Sequence, residues 1–239
     1  MTLDRTPETP LQSQHPLLVT TAWLADRIDR PDFVLIDCGE PVAYQRVHIP
    51  GAVSISHQPY LKGKDDPLLV MGPEEFEQLV RPLGVSNDSA VILYDDNASL
   101  YAARIWWVFD HFGHHDVRVL DGGLNAWLDE ARPLTSERPH PAPGNVTARV
   151  DDSHLCRVDD LRELVDAGDV QIWDTRSDGE WTGTNARGNK RVGHVPGAKH
   201  LEWSDLMEGP PARRFRPLVE IRQALVGAGI NPEAATVTY

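Results

Sequence analysis

The sequence predicts a duplicated α/β protein: two tandem domains, each a mostly parallel sheet with helices on both faces, the second incomplete in this chain. Three observations predict it. His48-Ile49-Pro50-Gly51-Ala52 returns as His194-Val195-Pro196-Gly197-Ala198, from 48 to 194, an offset of 146. Upstream of each copy an apolar strand, 33–37 and 170–174, closes on an aspartate, Asp37 and Asp174. Downstream, Ala90-Val91-Ile92-Leu93-Tyr94 matches Ala235-Thr236-Val237-Thr238-Tyr239, from 94 to 239, an offset of 145. Three landmarks at nearly one spacing mark a repeat, and apolar runs alternating with helical segments mark a parallel sheet flanked by helices.

Taken in order, residues 1–16 read as a flexible polar tail and 17–134 as the first domain. Thr20 or Thr21 caps a short helix through Trp23 and Leu24, and 33–37 is the first strand. The Pro50-Gly51 turn leads into a strand over 52–55. Pro73 opens a helix that carries Phe76, Leu79, Val80 and Leu83 on one face and stops near Gly84. Strand 90–94 precedes a long helix over 99–112, strand 117–120 follows, and Asp121-Gly122-Gly123 turns into a closing helix. Residues 135–150, set in a run rich in Pro, Ser, His and Gly, read as an exposed linker. The second domain, 151–239, repeats the order with a helix from Val158, strand 170–174, the turn at 194–198, a strand over 199–203, a helix over 217–228 and strand 235–239. The first copy continues for about forty residues past the strand matching 235–239, so the second is expected to be cut at a strand tip, where α/β folds place their chemistry.

Composition narrows the function. With 239 residues, 41% of them hydrophobic, there is enough for two cores. A net charge of −13 excludes a general nucleic-acid binder, which presents a basic face. Cys38 and Cys156 are the only cysteines and occupy non-equivalent places in the repeat. That excludes a disulfide framework and points to the cytoplasm. The opening 14 residues lack the apolar stretch of a secretory signal, and no run is long enough to span a membrane. The histidines, among them His114, His115 and His140, show no metal-ligand spacing with cysteine, and no glycine-rich phosphate loop occurs. No metal or cofactor is expected, and nothing calls for more than a monomer.

Four stretches carry a family resemblance: Asp174-Thr175-Arg176-Ser177-Asp178-Gly179-Glu180-Trp181, Gly193-His194-Val195-Pro196-Gly197-Ala198, Leu201-Glu202-Trp203 and Asp121-Gly122-Gly123-Leu124-Asn125-Ala126-Trp127. With these the chain resembles a tandem-domain rhodanese, a thiosulfate sulfurtransferase, of the bacterial two-domain type. The resemblance implies that the C-terminal domain is catalytic and that its nucleophilic cysteine comes directly after the strand ending at Tyr239. It implies thiosulfate as the small-molecule sulfur donor and cyanide or a thiol as acceptor, with the sulfur carried as a cysteine persulfide. Mercaptopyruvate sulfurtransferase, of the same fold, is the close rival. That branch tends to carry arginine where this chain has Glu180, which favours thiosulfate. A sulfur-carrier or regulatory module without catalysis, and a phosphatase of related fold, are the readings of another class.

The chemistry at such a tip is physical. A strand-to-helix turn aims backbone N–H groups at one point and favours a thiolate there. In the first domain that place is taken by Asp95, with Asp96 beside it. A carboxylate is a poor nucleophile toward sulfur and repels anions, so this domain is expected to be inactive. Cys38, in the slot of Thr175, is expected to be inert. Candidates for the substrate pocket are Arg176, Glu180 and Trp203. Arg176 has two readings: it binds the anionic substrate, or it pairs with a carboxylate such as Glu180. Asp174 and His194, which recur as Asp37 and His48 in the inactive copy, are expected to support the turn. Arg187, Lys190 and Arg191 form a basic loop, read either as a solvated run or as positive potential at the pocket rim.

Overall fold

The computed structural model describes residues 15–29, 32–55, 61–64, 69–168 and 170–239. The tail expected over 1–16 lies outside these, apart from His15 and Pro16. The chain divides into two compact units after Asp151.

The first unit is built on a five-stranded, wholly parallel sheet. Its elements run β1 Leu18–Val19, α1 Thr21–Ala25, β2 Phe33–Asp37, α2 Pro41–Arg46, β3 Val53–Ser54, α3 Pro73–Val80, β4 Ala90–Tyr94, α4 Leu100–His111, β5 Val117–Leu120 and α5 Gly123–Asp129. The strands lie in the order β1-β5-β4-β2-β3, with Asp37 paired to Tyr94 and Ile36 to Leu93. Alternation along the strands divides the core in two. Ile36, Val91, Leu93 and Val119 face α3 and α4 through Phe76, Val80, Ile105 and Phe109. Leu35, Ile92, Tyr94 and Leu120 face α1 and α5 through Leu24, Leu124 and Trp127.

Local chemistry sets the element ends. The Thr20 hydroxyl accepts the Trp23 N–H at 3.1 Å, which fixes Thr20 as the cap of α1. The helix expected over 73–83 ends at Val80 and tightens to a 3₁₀ turn over Arg81–Leu83, because Pro82 has no N–H to continue the ladder. Helix α4 starts one residue late, since Ser99 stands in the left-handed region at φ 63°. At Gly123, φ is 53° and a Cβ would lie 2.2 Å from the Asp95 carbonyl oxygen, so only glycine fits. Residues 135–150 form no helix or strand but run strapped along this unit. Thr135 and His48 exchange backbone hydrogen bonds of 2.9 and 3.0 Å, Gly144 N–H donates to Arg81 O at 2.8 Å, and Val146 is buried.

The second unit contains α6 Val158–Ala167, β6 Gln171–Asp174, α7 Asp178–Thr182, β7 Lys199–His200, α8 Leu218–Gly227 and β8 Thr236–Thr238. Its three strands are parallel in the order β7-β6-β8. The strand expected over 199–203 stops at His200, and the chain curls into a 3₁₀ turn over Trp203–Leu206. Pairing of Trp173 with Thr238 places Asp174 beside Tyr239, as Asp37 lies beside Tyr94. No helix of the described residues is long and apolar enough to cross a membrane.

Candidate active site at the strand tips

At the tip of β6, Asp174 is fully buried, and its carboxylate is held from several sides. Oδ1 accepts the Arg176 N–H at 3.0 Å and Arg176 Nε at 2.9 Å, while Oδ2 accepts Arg176 Nη2 at 2.5 Å. The same Nη2 donates to Gly193 O at 2.9 Å, and the guanidinium carbon sits 4.9 Å over the Tyr239 ring. The Tyr239 hydroxyl bonds Asp174 and accepts the Val195 N–H at 2.9 Å. Thr175 closes the group, its N–H and hydroxyl donating to Tyr239 O at 3.0 and 2.9 Å. Burial pushes the Asp174 carboxyl up, but the hydrogen bonds from Arg176 and Tyr239 outweigh it and leave the group below its ordinary value. Burial raises the Tyr239 phenol, and the bond to Asp174 raises Arg176.

The carboxylate partner of Arg176 is therefore Asp174, not Glu180. Two residues apart across a turn, the long side chain folds back onto the strand end. Glu180 instead accepts the Ser177 hydroxyl at 2.8 Å and faces Arg187 Nε at 3.5 Å. The Trp203 backbone N–H donates to Thr175 O at 3.0 Å, which ties the third pocket candidate to the tip. His194 stacks on Trp181 with ring centroids 3.4 Å apart, and its Nδ1 lies 3.0 Å from Trp181 O. On Trp181 a second imidazole, His200, also stacks, at 5.0 Å and 8°. His200 Nε2 lies 2.8 Å from Arg176 O.

Trp181, His200 and the Tyr239 hydroxyl are not among the site residues the sequence points to, though a signal for Trp181 is present in it. Trp181 stands at the place of Tyr44, from 44 to 181 an offset of 137, the same as from Asp37 to Asp174. Tyr44 stacks on His48 at 3.9 Å, as Trp181 does on His194.

The first unit repeats this lattice with different endings. Asp37 Oδ1 accepts the Gly39 N–H at 2.8 Å, the Tyr94 hydroxyl accepts the Ile49 N–H at 3.2 Å, and Cys38 N–H donates to Tyr94 O at 2.7 Å. Gly39 replaces Arg176; a Cβ there would lie 3.0 Å from Asp37 Oδ1. Without the guanidinium, burial dominates and the Asp37 carboxyl is raised. Cys38 is buried, and desolvation lifts its thiol well above the ordinary range. Beyond Tyr94, Asp95 fills a cradle of amides. Oδ1 accepts from Asn97 and Ser99 at 2.9 Å each, and Oδ2 from Tyr101 and Ala102 at 2.8 Å each. A strand, a loop with Ala98 and Ser99 at positive φ, and the start of α4 thus aim four N–H groups at the side chain that follows the tyrosine.

Such a cradle at the C-terminal end of a parallel sheet can hold an anionic nucleophile or leaving group. The Rhodanese-like domain family matches this chain in two segments, residues 20–130 and 157–239, so the chain belongs to this family. A thiosulfate sulfurtransferase of Pseudomonas aeruginosa is 32% identical, the match covering 95% of this chain and 83% of that one. One of Azotobacter vinelandii is 35% identical, at 94% and 82%. Among solved structures, SseA from Escherichia coli, described with the 3-mercaptopyruvate sulfotransferases, superposes with a TM-score of 0.81 at 28% identity, covering 94% of this chain and 88% of that one.

Proposed function

We propose that the protein is a sulfurtransferase that moves sulfane sulfur from thiosulfate to cyanide or a thiol, with 151–239 the catalytic domain and 17–134 an inactive partner domain. One observation carries the reading. Tyr94 and Tyr239 share the same hydroxyl and main-chain bonds, and in the first unit the next side chain sits in a four-amide cradle. A cysteine placed directly after Tyr239 would have its thiolate favoured in an equivalent cradle. Its sulfur attacks the outer sulfur of thiosulfate, the S–S bond of the donor breaks, and sulfite leaves with the bonding pair. The persulfide then gives its terminal sulfur to cyanide, forming thiocyanate and restoring the thiolate, so the kinetics are ping-pong. Asp95 leaves the first unit without a nucleophile at the corresponding place.

Asp174, His194 and Tyr239 hold the tip in shape, while Arg176, Glu180 and Trp203 border the pocket. Glu180, where an arginine would suit the carboxylate of mercaptopyruvate, favours thiosulfate, as do the names of the relatives at 32 and 35% identity. We read the protein as a cytoplasmic monomer without nucleic-acid or membrane partners. The net charge of −13 and the two free thiols support this.

The test is intact mass of the natural protein after treatment with thiosulfate, then cyanide, together with peptide sequencing through and past Tyr239. The expected result is a gain of one sulfur atom on a cysteine following Tyr239, released as thiocyanate. Absence of sulfur loading and of thiocyanate overturns the reading. Turnover faster with mercaptopyruvate than with thiosulfate reassigns the donor.

A further inference from the structure

The second unit carries nine residues that the first lacks, and the turn they enlarge is basic. The offset between copies is 137 up to Trp181 and 146 from His194. The enlarged turn, 183–193, contains Arg187, Lys190 and Arg191 and no acidic residue, in a chain of net charge −13. Its two ends meet at the site. Gly193 O accepts Arg176 Nη2 at 2.9 Å, and a Cβ on Gly183 would lie 3.2 Å from both Gly193 N and Val192 Cβ. Within the turn, Asn185 N–H donates to Gly179 O at 2.9 Å and Asn189 N–H to Ala186 O at 2.7 Å. The turn is therefore a folded element anchored to the residue that lies over Tyr239.

Its charges are not used internally, Arg187 apart, which faces Glu180 at 3.5 Å. Lys190 and Arg191 are exposed and make no ion pair among the described residues. Arg191 is two residues from Gly193, so its Cα lies within about 7.6 Å of that anchor, and that of Lys190 within about 11 Å. Even with the length of the two side chains added, both charges stay well inside the Debye length of about 30 Å at 0.01 M ionic strength, so their field reaches the anchor at low salt.

We infer that the turn 183–193 selects the sulfur donor by charge, with Lys190 and Arg191 favouring a dianion such as thiosulfate over a monoanion bearing the same sulfane sulfur. The inference rests on the sulfurtransferase reading above. A unit charge pair about 10 Å apart in water shifts an equilibrium about twofold. At low ionic strength, where the Debye length is about 30 Å, two cations acting on a dianion favour its capture about eightfold and on a monoanion about threefold, and at physiological salt both effects shrink to about twofold or less. Because the turn adds attraction without touching the reacting sulfur, it acts on KM and on ionic-strength dependence, not on kcat.

The experiment measures thiocyanate formation by the natural protein and by Lys190→Ser/Arg191→Ser, with thiosulfate and with an alkanethiosulfonate as donors, across ionic strength. Arg162→Ser/Arg222→Ser, on the exposed faces of α6 and α8, controls for net charge. The expected result is a KM for thiosulfate raised about eightfold at low salt, a KM for the thiosulfonate raised about threefold, an unchanged kcat, and a shallower salt dependence. Equal changes for both donors, no change, or the same change in the control overturns the inference and leaves the sulfurtransferase reading standing. No turnover by the natural protein overturns both.

Discussion

Arg176 and Asp174 form a fork across a two-residue turn, Nε and Nη2 bonded at 2.9 and 2.5 Å to a carboxylate with no exposed surface. Removing the guanidinium leaves that charge buried and partly unmet. Arg176→Ala is expected to lower stability by about 3 kcal/mol, and Arg176→Lys, which keeps the charge but not the fork, by about 1–2 kcal/mol. Urea unfolding of both variants against the parent checks this. A loss below about 0.5 kcal/mol for Arg176→Ala would show the pair to be ornamental.

The equivalent aspartates are expected to answer acid in opposite senses. Asp174 lies below its ordinary value of 3.8, so its contribution to stability is present above pH 3.8 and is lost as the pH falls through the lowered value. Asp37 lies above 3.8, chiefly through burial, so the folded state binds the proton more tightly, and its contribution fades as the pH rises from 3.8 through the raised value. Asp37→Asn should flatten the stability profile of the first unit above pH 3.8, while Asp174→Asn removes a loss seen below it. Hydrogen exchange of β2 and β6 across that range separates the two.

Asp95 is expected to be structural. Asp95→Ala deprives the Asn97, Ser99, Tyr101 and Ala102 amides of their acceptor and should cost about 2–4 kcal/mol. Faster amide exchange at Tyr101 and Ala102 is the specific sign. Thiocyanate production should survive wherever the variant stays folded. Loss of turnover in a folded Asp95→Asn protein would contradict an inactive first domain.

Gly123→Ala brings a methyl group to 2.2 Å from Asp95 O at a φ of 53°. The close approach and the left-handed backbone together should destabilise by about 2–5 kcal/mol. Gly51, at φ 80° with open space around it, serves as the comparison. Gly51→Ala carries only the backbone term, about 1–2 kcal/mol. Equal losses at the two positions in urea unfolding would refute the steric part.

Under native conditions, alkylation followed by peptide mapping should label Cys156 before Cys38. Cys38 is 4% exposed with a thiol raised well above the ordinary range, whereas Cys156 is partly exposed. Prompt native labelling of Cys38 would show that the tip of β2 opens.

Much of this architecture was legible because it is written in local periodicity and in a repeat. Short apolar runs mark β2, β4 and β5, and the recurrence of Asp37 as Asp174 and of Tyr94 as Tyr239 marks the strand tips. Some boundaries moved because a single group intervened, as at Pro82 in the expected 73–83 helix or at Ser99 before α4, while others, such as the end of the strand expected over 199–203, simply fell short. The candidate site was legible in its members but not in its pairings. The sequence offers Arg176 both Glu180 and the substrate as partners, and nothing in its spacing points to the fork with Asp174. Trp181 passed unmarked because a lone tryptophan on a short helix looks like packing until His194 and His200 are seen on its ring.

The sequence by itself determined the repeat, the order of the main strands and long helices, and the residues that end β2, β4, β5 and β6, since each depends on residues near one another in the chain. Only the tertiary structure decided which groups meet. Thr175 reaches Tyr239 across 64 residues, and Val195 reaches its hydroxyl across 44. Such bonds form because parallel pairing brings distant strand tips together and buries their polar groups, which must then find one another. No spacing along the chain encodes that requirement.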